Sequence, residues 1–307
     1  MPSEMVESAT RVARYGEDTE RFLENLPPPV PRDIYRESQQ FHIIMEYERA
    51  RFRNSNRATA APSHEDGSQS AHSDTFQPGN DENANFIVFL IEPTSFQREI
   101  VDRKDHGHLG FSYEYNRYTK ILIIKMTTME HRCAARAMNT LIENALGDMG
   151  LDRDCVSFAG VEVNMGANQK VPDEGWAPMT SARQRSSRPA VVLEVGVSES
   201  ERKLRANARM WVDPSAGQAN IAITIKIKRH QPLLKIDQWE WDADIGKTRV
   251  NRHTREKASV SGGPLLIPFQ KIWRRAAQYP RERDILLNVE DLAFLATHVW
   301  AAMGIDY

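Results

Sequence analysis

Two carboxylates in the middle of the chain have the surroundings of a cation site. Glu194 stands within an apolar run, Ala190–Val197, that is typical of a buried strand, and Asp173 precedes it in the segment KVPDEGW. A buried carboxylate is costly unless it has a partner or a metal ion. Divalent cations such as Mg²⁺ or Mn²⁺ prefer oxygen ligands and can activate water for attack on a phosphodiester. The pair therefore predicts a metal site made by Asp173 and Glu194.

Each acid also has an ordinary structural interpretation. Asp173 follows a proline and fits a turn, while Glu194 can instead pair with an arginine or cap a helix. If the two carboxylates lie close together without a metal, one of them is expected to resist ionisation, because like charges repel. Two independent carboxylates with ordinary titration would contradict a shared site.

A predicted helix before this pair carries two further candidates, Glu130 and His131. Glu130 would assist as a third acid, and His131 would act as a base or contact phosphate. Thr127 and Glu130 also have the Thr-x-x-Glu spacing of a capping box, which explains Glu130 without any chemistry. His131 is equally open to a surface or structural role.

The elements that must position these residues follow from periodicity. Apolar residues recur at helical spacing from residue 127 to Gly150, a glycine that favours the helix end. A second Ser-x-x-Glu pattern, Ser198 to Glu201, predicts the start of the next helix. Residues 219–229 then alternate isoleucine with other side chains, as a half-buried strand does. The order helix, strand or hairpin, strand, helix, strand predicts an α/β fold with a mixed central sheet flanked by helices.

Composition limits the class of protein. The 307 residues carry a formal charge of −2, so any contact with nucleic acid must come from a local basic patch. Residues 54–85 hold almost no large apolar side chains. We therefore expect residues 1–85 to be largely disordered or loosely structured and the folded domain to span 86–307. The chain has no apolar run of about 18 residues and no signal sequence, and its cysteines fit no metal spacing. These features predict an intracellular protein, of cytoplasm or nucleus, without a membrane segment.

Basic residues cluster in three segments, ERKLRANAR, KIKRH and KTRVNRHTREK. With tryptophans nearby, such clusters can grip phosphates and stack on bases. The neighbouring segment WEWDAD favours instead a solvated surface of mixed charge. The candidate contacts to nucleic acid are Arg202, Arg205, Lys228, Arg229, Arg249 and Arg252.

Several of these segments together resemble a family of fungal proteins with a PD-(D/E)XK nuclease-like domain. The segments are KVPDEGWAP, PAVVLEVGVSES, LRANARMW and IAITIKIKR, preceded by LIIKMTTMEHRCAARAMNTLIENALGDMGL. The resemblance covers residues 110–300 and leaves the N-terminal third uncovered. It implies a restriction-endonuclease-like core in which Asp173 and Glu194 bind Mg²⁺.

The resemblance also implies a lysine two residues after the glutamate, where this chain has Gly196. Lys226 and Lys203 are the candidates to replace it. The first hypothesis is a Mg²⁺-dependent nuclease-like enzyme that hydrolyses phosphodiester bonds in nucleic acid. The alternative is a catalytically inactive nuclease fold that serves as a nucleic-acid or protein interaction module, including one within a fungal biosynthetic or regulatory pathway. The missing lysine and the near-neutral charge favour the alternative.

Overall fold

The structure is a computed structural model. It describes residues 19–20, 22–24, 26, 30–60, 85–102, 111–179, 188–197, 199–228, 231–241, 244–254 and 257–305, with the backbone alone for 55–60, 244–254 and 257–258. Of the helices in these ranges, none is long and apolar enough to cross a membrane.

Helices and strands alternate along the described chain. The helices are α1 (Ser38–Ala60), α2 (Pro93–Phe96, continued by a π-helical turn at Gln97–Val101), α3 (Met129–Met149), α4 (Glu201–Val212), α5 (Phe269–Trp273) and α6 (Val289–Ala302). The first seven strands are β1 (Arg32–Ile34), β2 (Phe86–Leu90), β3 (Phe111–Asn116), β4 (Ile121–Met126), β5 (Cys155–Ser157), β6 (Val163–Met165) and β7 (Asn168–Lys170). The remaining strands are β8 (Glu174–Pro178), β9 (Val191–Gly196), β10 (Ile221–Lys228), β11 (Leu233–Trp239), β12 (Asp244–Thr254), β13 (Lys257–Ser261), β14 (Leu265–Ile267) and β15 (Ile285–Leu287).

The strands form two large mixed sheets and a small hairpin. The first sheet has the order β1-β2-β4-β3-β7-β6, the second has the order β13-β12-β11-β10-β9-β8-β5, and β14 pairs with β15. In the first sheet β1 and β2 are parallel, and in the second β9 and β10 are parallel. The predicted mixed α/β fold with flanking helices is confirmed, and the strands form two large sheets rather than one central sheet.

The second sheet carries the candidate acid of the apolar strand. On one face, alternate residues of β9 and β10, such as Leu193 and Ile223, pack with α3 and α6 in the main hydrophobic core. The other face is covered by α4, so β10 is buried along nearly its whole length. The prediction of a half-buried strand at 219–229 was therefore wrong. Both faces are covered because a helix lies on each side of the sheet.

Helix α3 begins and ends close to the predicted positions. Its N-cap is Thr128, whose side chain accepts a hydrogen bond from the backbone N–H of His131, rather than the predicted Thr127 of a capping box. It ends at Gly150, whose φ of 69° is the left-handed conformation that glycine adopts readily. Helix α4 is capped by Ser200, and the predicted cap Ser198 lies outside the described residues.

Part of the N-terminal region packs onto the domain. Strand β1 pairs with β2, and Phe41, Met45 and Phe52 of α1 join the apolar cluster that contains Ile87 and Phe89. The segment from β1 to Phe52 thus packs against the domain that was expected to begin near residue 86. Most of the expected linker, residues 61–84, lies outside the described residues.

Candidate functional site

The two predicted acids lie side by side between the sheets. Asp173 immediately precedes β8, and the antiparallel pairing of Glu174 with Leu193 places it next to Glu194 on β9. Asp173 Oδ2 accepts a hydrogen bond of 2.7 Å from the backbone N–H of Val195. Both side chains are almost fully buried, with exposures of 2% for Asp173 and 2% for Glu194. The strand pairing thus brings the predicted pair together.

A lysine from the first sheet lies against this pair. Lys125 of β4 places its Nζ 2.7 Å from the carbonyl oxygen of Val195 and 3.4 Å from Asp173 Oδ2. The same Nζ lies 3.1 Å from Oε2 of Glu199, a residue fully buried between β9 and α4. The ammonium group of Lys125 therefore sits among three oxygen atoms, two of them from carboxylates.

Asp173 has a histidine as its second side-chain neighbour. Nε2 of His131, in the first turn of α3, lies 3.0 Å from Asp173 Oδ2. The N-cap of α3 positions this ring, because Thr128 accepts a hydrogen bond from the His131 backbone. His131 is thus brought to the acid pair as predicted from the sequence, and Glu130 lies beside it in the first helical turn.

Glu194 has different partners from Asp173. Its Oε1 accepts a 2.6 Å hydrogen bond from the indole Nε1–H of Trp211 on α4. The same oxygen lies 3.5 Å from Nζ of Lys170 on β7. The Nζ of Lys170 is also 5.9 Å from the centre of the Trp211 ring. Glu194 therefore has a tryptophan and a lysine as partners, and neither of the arrangements expected as alternatives, an arginine pair or a helix cap, accounts for it.

The charges continue away from the pair toward α4. Glu114 of β3 lies 3.7 Å from Lys170 and 3.3 Å from Lys203 of α4. Glu199 accepts a hydrogen bond of 3.0 Å from the amide of Asn207. We call this set the buried ionic layer; its members are Glu114, Lys125, Lys170, Asp173, Glu194, Glu199 and Lys203. It consists of four carboxylates and three lysines held between the two sheets.

The two lysines proposed from the sequence lie at the edges of this layer. Lys203 contacts Glu114. Lys226 pairs with Gly196 across β9 and β10, and its Nζ donates hydrogen bonds to the carbonyl oxygens of Val197 and Glu199. The lysines in contact with Asp173 and Glu194 are Lys125 and Lys170, which the sequence analysis missed. The sequence does contain a sign that Lys125 is buried. It is a charged residue within the apolar run KILIIKM, just as Glu194 is a charged residue within an apolar strand.

The surroundings of Asp173 and Glu194 shift the pKa values of the two acids in opposite directions. Burial raises the pKa of Glu194, with Asp173 adding to the effect and Lys170 opposing it. Burial also acts to raise the pKa of Asp173, but the neighbouring His131 and Lys125 bring it well below its usual range. One carboxylate of the pair thus resists ionisation while the other favours it, as expected for two acids that share a site.

The lysines stay charged despite burial. Desolvation alone would lower the pKa of Lys125, but Asp173 and Glu199 raise it well above its usual range. Lys170 behaves in the same way, because Glu194 and Glu114 outweigh the effect of burial on its pKa. Lys125 and Lys170 thus each lie close to two carboxylates, Asp173 and Glu199 for Lys125 and Glu194 and Glu114 for Lys170.

A small cavity opens within the layer. Its volume is about 20 Å³, enough for one water molecule. Its lining includes Glu114, Lys125, Lys170, Glu194 and Glu199. Oε2 of Glu199 is buried and accepts no hydrogen bond of ordinary geometry, although Lys125 is near. A buried carboxylate oxygen whose partner is a single ammonium group has the chemistry of a ligand for a hard cation.

The donor set suits a hard cation. Carboxylate oxygens of Asp173, Glu194 and Glu199 and the carbonyl oxygen of Val195 are the ligand types that Mg²⁺ and Mn²⁺ prefer. Across the described part of the chain, no group of three or more His, Cys, Asp and Glu side chains has the arrangement of a metal centre. The cationic group among these oxygens is the ammonium of Lys125.

The predicted basic contacts to nucleic acid lie on the outside of this region. Arg202 forms an ion pair with Glu24, and the guanidinium of Arg205 lies 5.5 Å from the centre of the Trp239 ring. Lys228 is 3.7 Å from Glu201. Arg229 lies outside the described residues, and Arg249 and Arg252 are described only as backbone within β12.

Comparison with known proteins gives a neighbour among solved structures. No protein-family model matches the chain, and no curated protein matches it. Among solved structures, it is similar to a protein of Anabaena variabilis described as a "putative nuclease" of the DUF820 group, at 14% identity and a TM-score of 0.38. That similarity covers 61% of this chain and 90% of the other. The function proposed below rests on the geometry of the site itself.

Proposed function

We propose that this protein is a nuclease-fold enzyme that hydrolyses phosphodiester bonds in nucleic acid with Mg²⁺ or Mn²⁺. The observation that carries the proposal is the position of Lys125. Its Nζ contacts Asp173 Oδ2 and the carbonyl oxygen of Val195, the residue after Glu194. A lysine from β4 thus reaches the acid pair, where Gly196 supplies none.

Asp173 and Glu194 would hold the cation, which when bound would polarise the phosphodiester and lower the pKa of an attacking water. The backbone N–H of Val195 and the ring of His131 fix the orientation of Asp173. Trp211 does the same for Glu194. Ligands held in this way are pre-organised, which favours a defined coordination geometry.

The lysines of the buried ionic layer would stabilise negative charge on the phosphate. Lys125 contacts Asp173 and Lys170 contacts Glu194. Lys203 contacts Glu114 rather than either member of the acid pair. Positive groups held in a water-poor site stabilise the charge that develops in a phosphoryl transition state. Arg202, Arg205 and Lys228 around α4 and β10 would contact the backbone of the nucleic acid.

A plasmid-nicking assay with Mg²⁺ or Mn²⁺ tests this proposal. We expect the wild type to nick supercoiled DNA and Asp173→Asn to lose activity by about 10²–10³-fold, because a charged ligand of the transition-state assembly is gone. Lys235→Met is the matched control, since Lys235 is a partly exposed lysine paired with Glu201. Nicking that Asp173→Asn leaves unchanged, or absent nicking in metal-loaded wild type, would refute the enzymatic proposal.

A second candidate function is a catalytically inactive nuclease fold that binds nucleic acid or protein. The observation in its favour is that the lysines already compensate the carboxylates of the layer, so the fold has no need of a metal to neutralise them. Fluorescence anisotropy with labelled DNA separates the two. Binding that is unaffected by Mg²⁺, without nicking, would support the binding module over the enzyme.

A further inference from the structure

Lys125 occupies a position with the chemistry of a metal site. Three oxygens surround its Nζ: the carbonyl oxygen of Val195 at 2.7 Å, Glu199 Oε2 at 3.1 Å and Asp173 Oδ2 at 3.4 Å. All three are hard ligands of the kind that divalent cations select. An ammonium group and a metal ion therefore have the same ligands available here.

The state of Glu199 strengthens this point. Its side chain is fully buried, and its Oε1 is held by Asn207. Its Oε2 lies 3.1 Å from the Nζ of Lys125 and has no other hydrogen-bonding partner among the described residues. A cation that coordinates oxygen without directional requirements would satisfy it better. Glu199 was not among the residues singled out from the sequence.

We propose that Lys125 is a built-in substitute for the divalent cation, held by Asp173, Val195 and Glu199, and that metal binding requires its displacement. The inference rests on the proposed function, in that the displacing ion is the one that activates the phosphodiester. The ion and the ammonium group of Lys125 cannot both occupy the space among these three oxygens, so binding of one requires the other to move away from them. Glu199 then becomes a third anionic ligand of the metal.

The proposal has a direct consequence for the resting protein. Without metal, Lys125 neutralises Asp173 and Glu199, so the site is closed and stable. When metal enters, the Lys125 side chain leaves the three oxygens but stays attached beside them on β4, where its charge can act on a bound phosphate. Binding of the metal ion would thus free the ammonium group of Lys125 to contact a phosphate.

Mn²⁺ binding to Lys125→Met tests the proposal without any measurement of catalysis. Methionine keeps the length of the side chain and removes its charge. We expect calorimetry to give about tenfold or tighter Mn²⁺ binding than in wild type, the size of an ordinary coupling between two sites. We also expect Mn²⁺ to raise the Tm of Lys125→Met more than that of wild type, because the ion binds only the folded state.

Two further variants define the ligands. In the double variant Lys125→Met/Glu199→Gln, the gain in Mn²⁺ affinity should be lost, since a ligand of the opened site is removed. Lys235→Met is the control, because it removes the charge of a partly exposed lysine that pairs with Glu201 outside the layer. Its Mn²⁺ affinity and Mn²⁺-dependent Tm shift should equal those of wild type. Equal or weaker Mn²⁺ binding by folded Lys125→Met would overturn the proposal.

A measurement on the wild type covers the case in which Lys125→Met does not fold. Folding of the variant only in the presence of Mn²⁺ would support the proposal. If the variant folds neither with nor without Mn²⁺, reductive methylation of the wild-type lysines, followed by mass spectrometry, tests the proposal instead. Faster modification of Lys125 on addition of Mn²⁺ supports displacement, and an unchanged rate contradicts it. Tight Mn²⁺ binding by Lys125→Met with no nicking in wild type would refute the enzymatic function while leaving this inference intact.

Discussion

Glu99 and Glu194 are two buried glutamates in unlike surroundings. Both are nearly inaccessible, with exposures of 3% and 2%. Glu99 belongs to the π-helical turn after α2, and Glu194 belongs to the central strand β9. Burial of a carboxylate by itself therefore does not distinguish a structural group from a functional one.

The partners of Glu99 are those of a structural anchor. Its Oε1 accepts hydrogen bonds from Tyr35 and Arg98, and its Oε2 accepts one from Ser38 at the start of α1. Both oxygens are satisfied, mainly by neutral hydroxyls. Burial acts to raise the pKa of Glu99, but the hydrogen bonds from Tyr35 and Arg98 hold it below its usual value. Glu99 ties the N-terminal strand and helix to the domain.

Glu194 is placed differently. It shares its surroundings with Asp173, Lys125 and Lys170, and the burial and like charge nearby raise its pKa. Groups of this kind contribute little net stability when compared with apolar residues of the same volume. A cluster of opposed buried charges beside a small cavity is the arrangement for which we propose chemistry, whereas a buried carboxylate with both oxygens satisfied by hydrogen bonds is the arrangement of an anchor.

The largest expected effect on stability is that of Lys170→Met. The substitution leaves Glu114 and Glu194 without their shared lysine, and breaking a buried ion pair typically costs about 3–5 kcal/mol. Urea unfolding measures the loss. Lys235→Met, which removes a lysine from a partly exposed pair with Glu201, should cost about 0–1 kcal/mol. Equal losses of unfolding free energy in the two variants would show that the lysine of the ionic layer stabilises the protein no more than a lysine of the surface does.

A smaller effect is expected from Glu99→Gln. The amide cannot reproduce the charge-assisted hydrogen bonds with Arg98 and the two hydroxyls, and we expect a loss of about 1.5–3 kcal/mol. Because α1 depends on this anchor, limited proteolysis should accelerate within residues 38–54. Glu92→Gln is a suitable control, since Glu92 is an exposed carboxylate paired with Lys120. Proteolysis at an unchanged rate would contradict the anchoring role.

The pH dependence of the same variant has a definite sign. A carboxyl group whose pKa is lowered on folding stabilises the native state above its unfolded pKa, and that contribution is lost as the pH falls. The pKa of Glu99 is lowered from 4.5. The difference in unfolding free energy between wild type and Glu99→Gln should therefore shrink as the pH is lowered below about 5. A difference that grows on acidification would contradict the assigned pKa direction.

Trp211→Phe should have a more modest effect. It removes the indole N–H that donates a hydrogen bond to Glu194 and keeps most of the apolar surface. The loss of a hydrogen bond to a buried carboxylate is expected to cost about 1–3 kcal/mol of unfolding free energy. Thermal unfolding measures this loss of stability. The variant also removes the group that orients Glu194, so Mn²⁺ should raise its Tm less than it raises that of wild type. An equal Mn²⁺-dependent rise in Tm would mean that Trp211 does not hold this ligand in place.

The smallest effect is that of Arg98→Gln. Arg98 donates to Glu99 from a largely exposed position, with 64% of its side chain accessible. An ion pair whose cation is this exposed contributes little to stability. Urea unfolding should detect little change, because Tyr35 and Ser38 still satisfy Glu99. A loss as large as that of Lys170→Met would show that Glu99 depends on charge as Glu194 does.

The sequence could reveal the acids but not most of their partners. Glu194 was recognisable because a charged residue interrupts an apolar strand, and Asp173 because a proline precedes it in a short approach to that strand. Local periodicity was also enough for α3, α4 and β9. Cap positions moved by one or two residues, to Thr128 and Ser200, because neighbouring serines and threonines can serve equally well.

The lysines at the acids could not be placed, because they come from a different sheet. Lys125 is on β4 and Lys170 on β7, and the packing of that sheet against β9 and α4 depends on contacts distant in sequence. The candidates chosen instead, Lys203 and Lys226, were selected by proximity along the chain. In the same way, Tyr35 and Glu99 are 64 residues apart in the sequence, and hydrophobic periodicity reveals only contacts within one element. The packing of α1 was therefore not predicted.

The most direct test of the account is calorimetric titration of Mn²⁺ into wild type, Glu194→Gln and Glu99→Gln. The two variants neutralise equally buried carboxylates, so general destabilisation affects both. We predict that Glu99→Gln binds Mn²⁺ as wild type does and that Glu194→Gln loses binding. Undiminished binding by Glu194→Gln, or no binding in either wild type or Lys125→Met, would contradict the claim that Asp173 and Glu194 form a cation site.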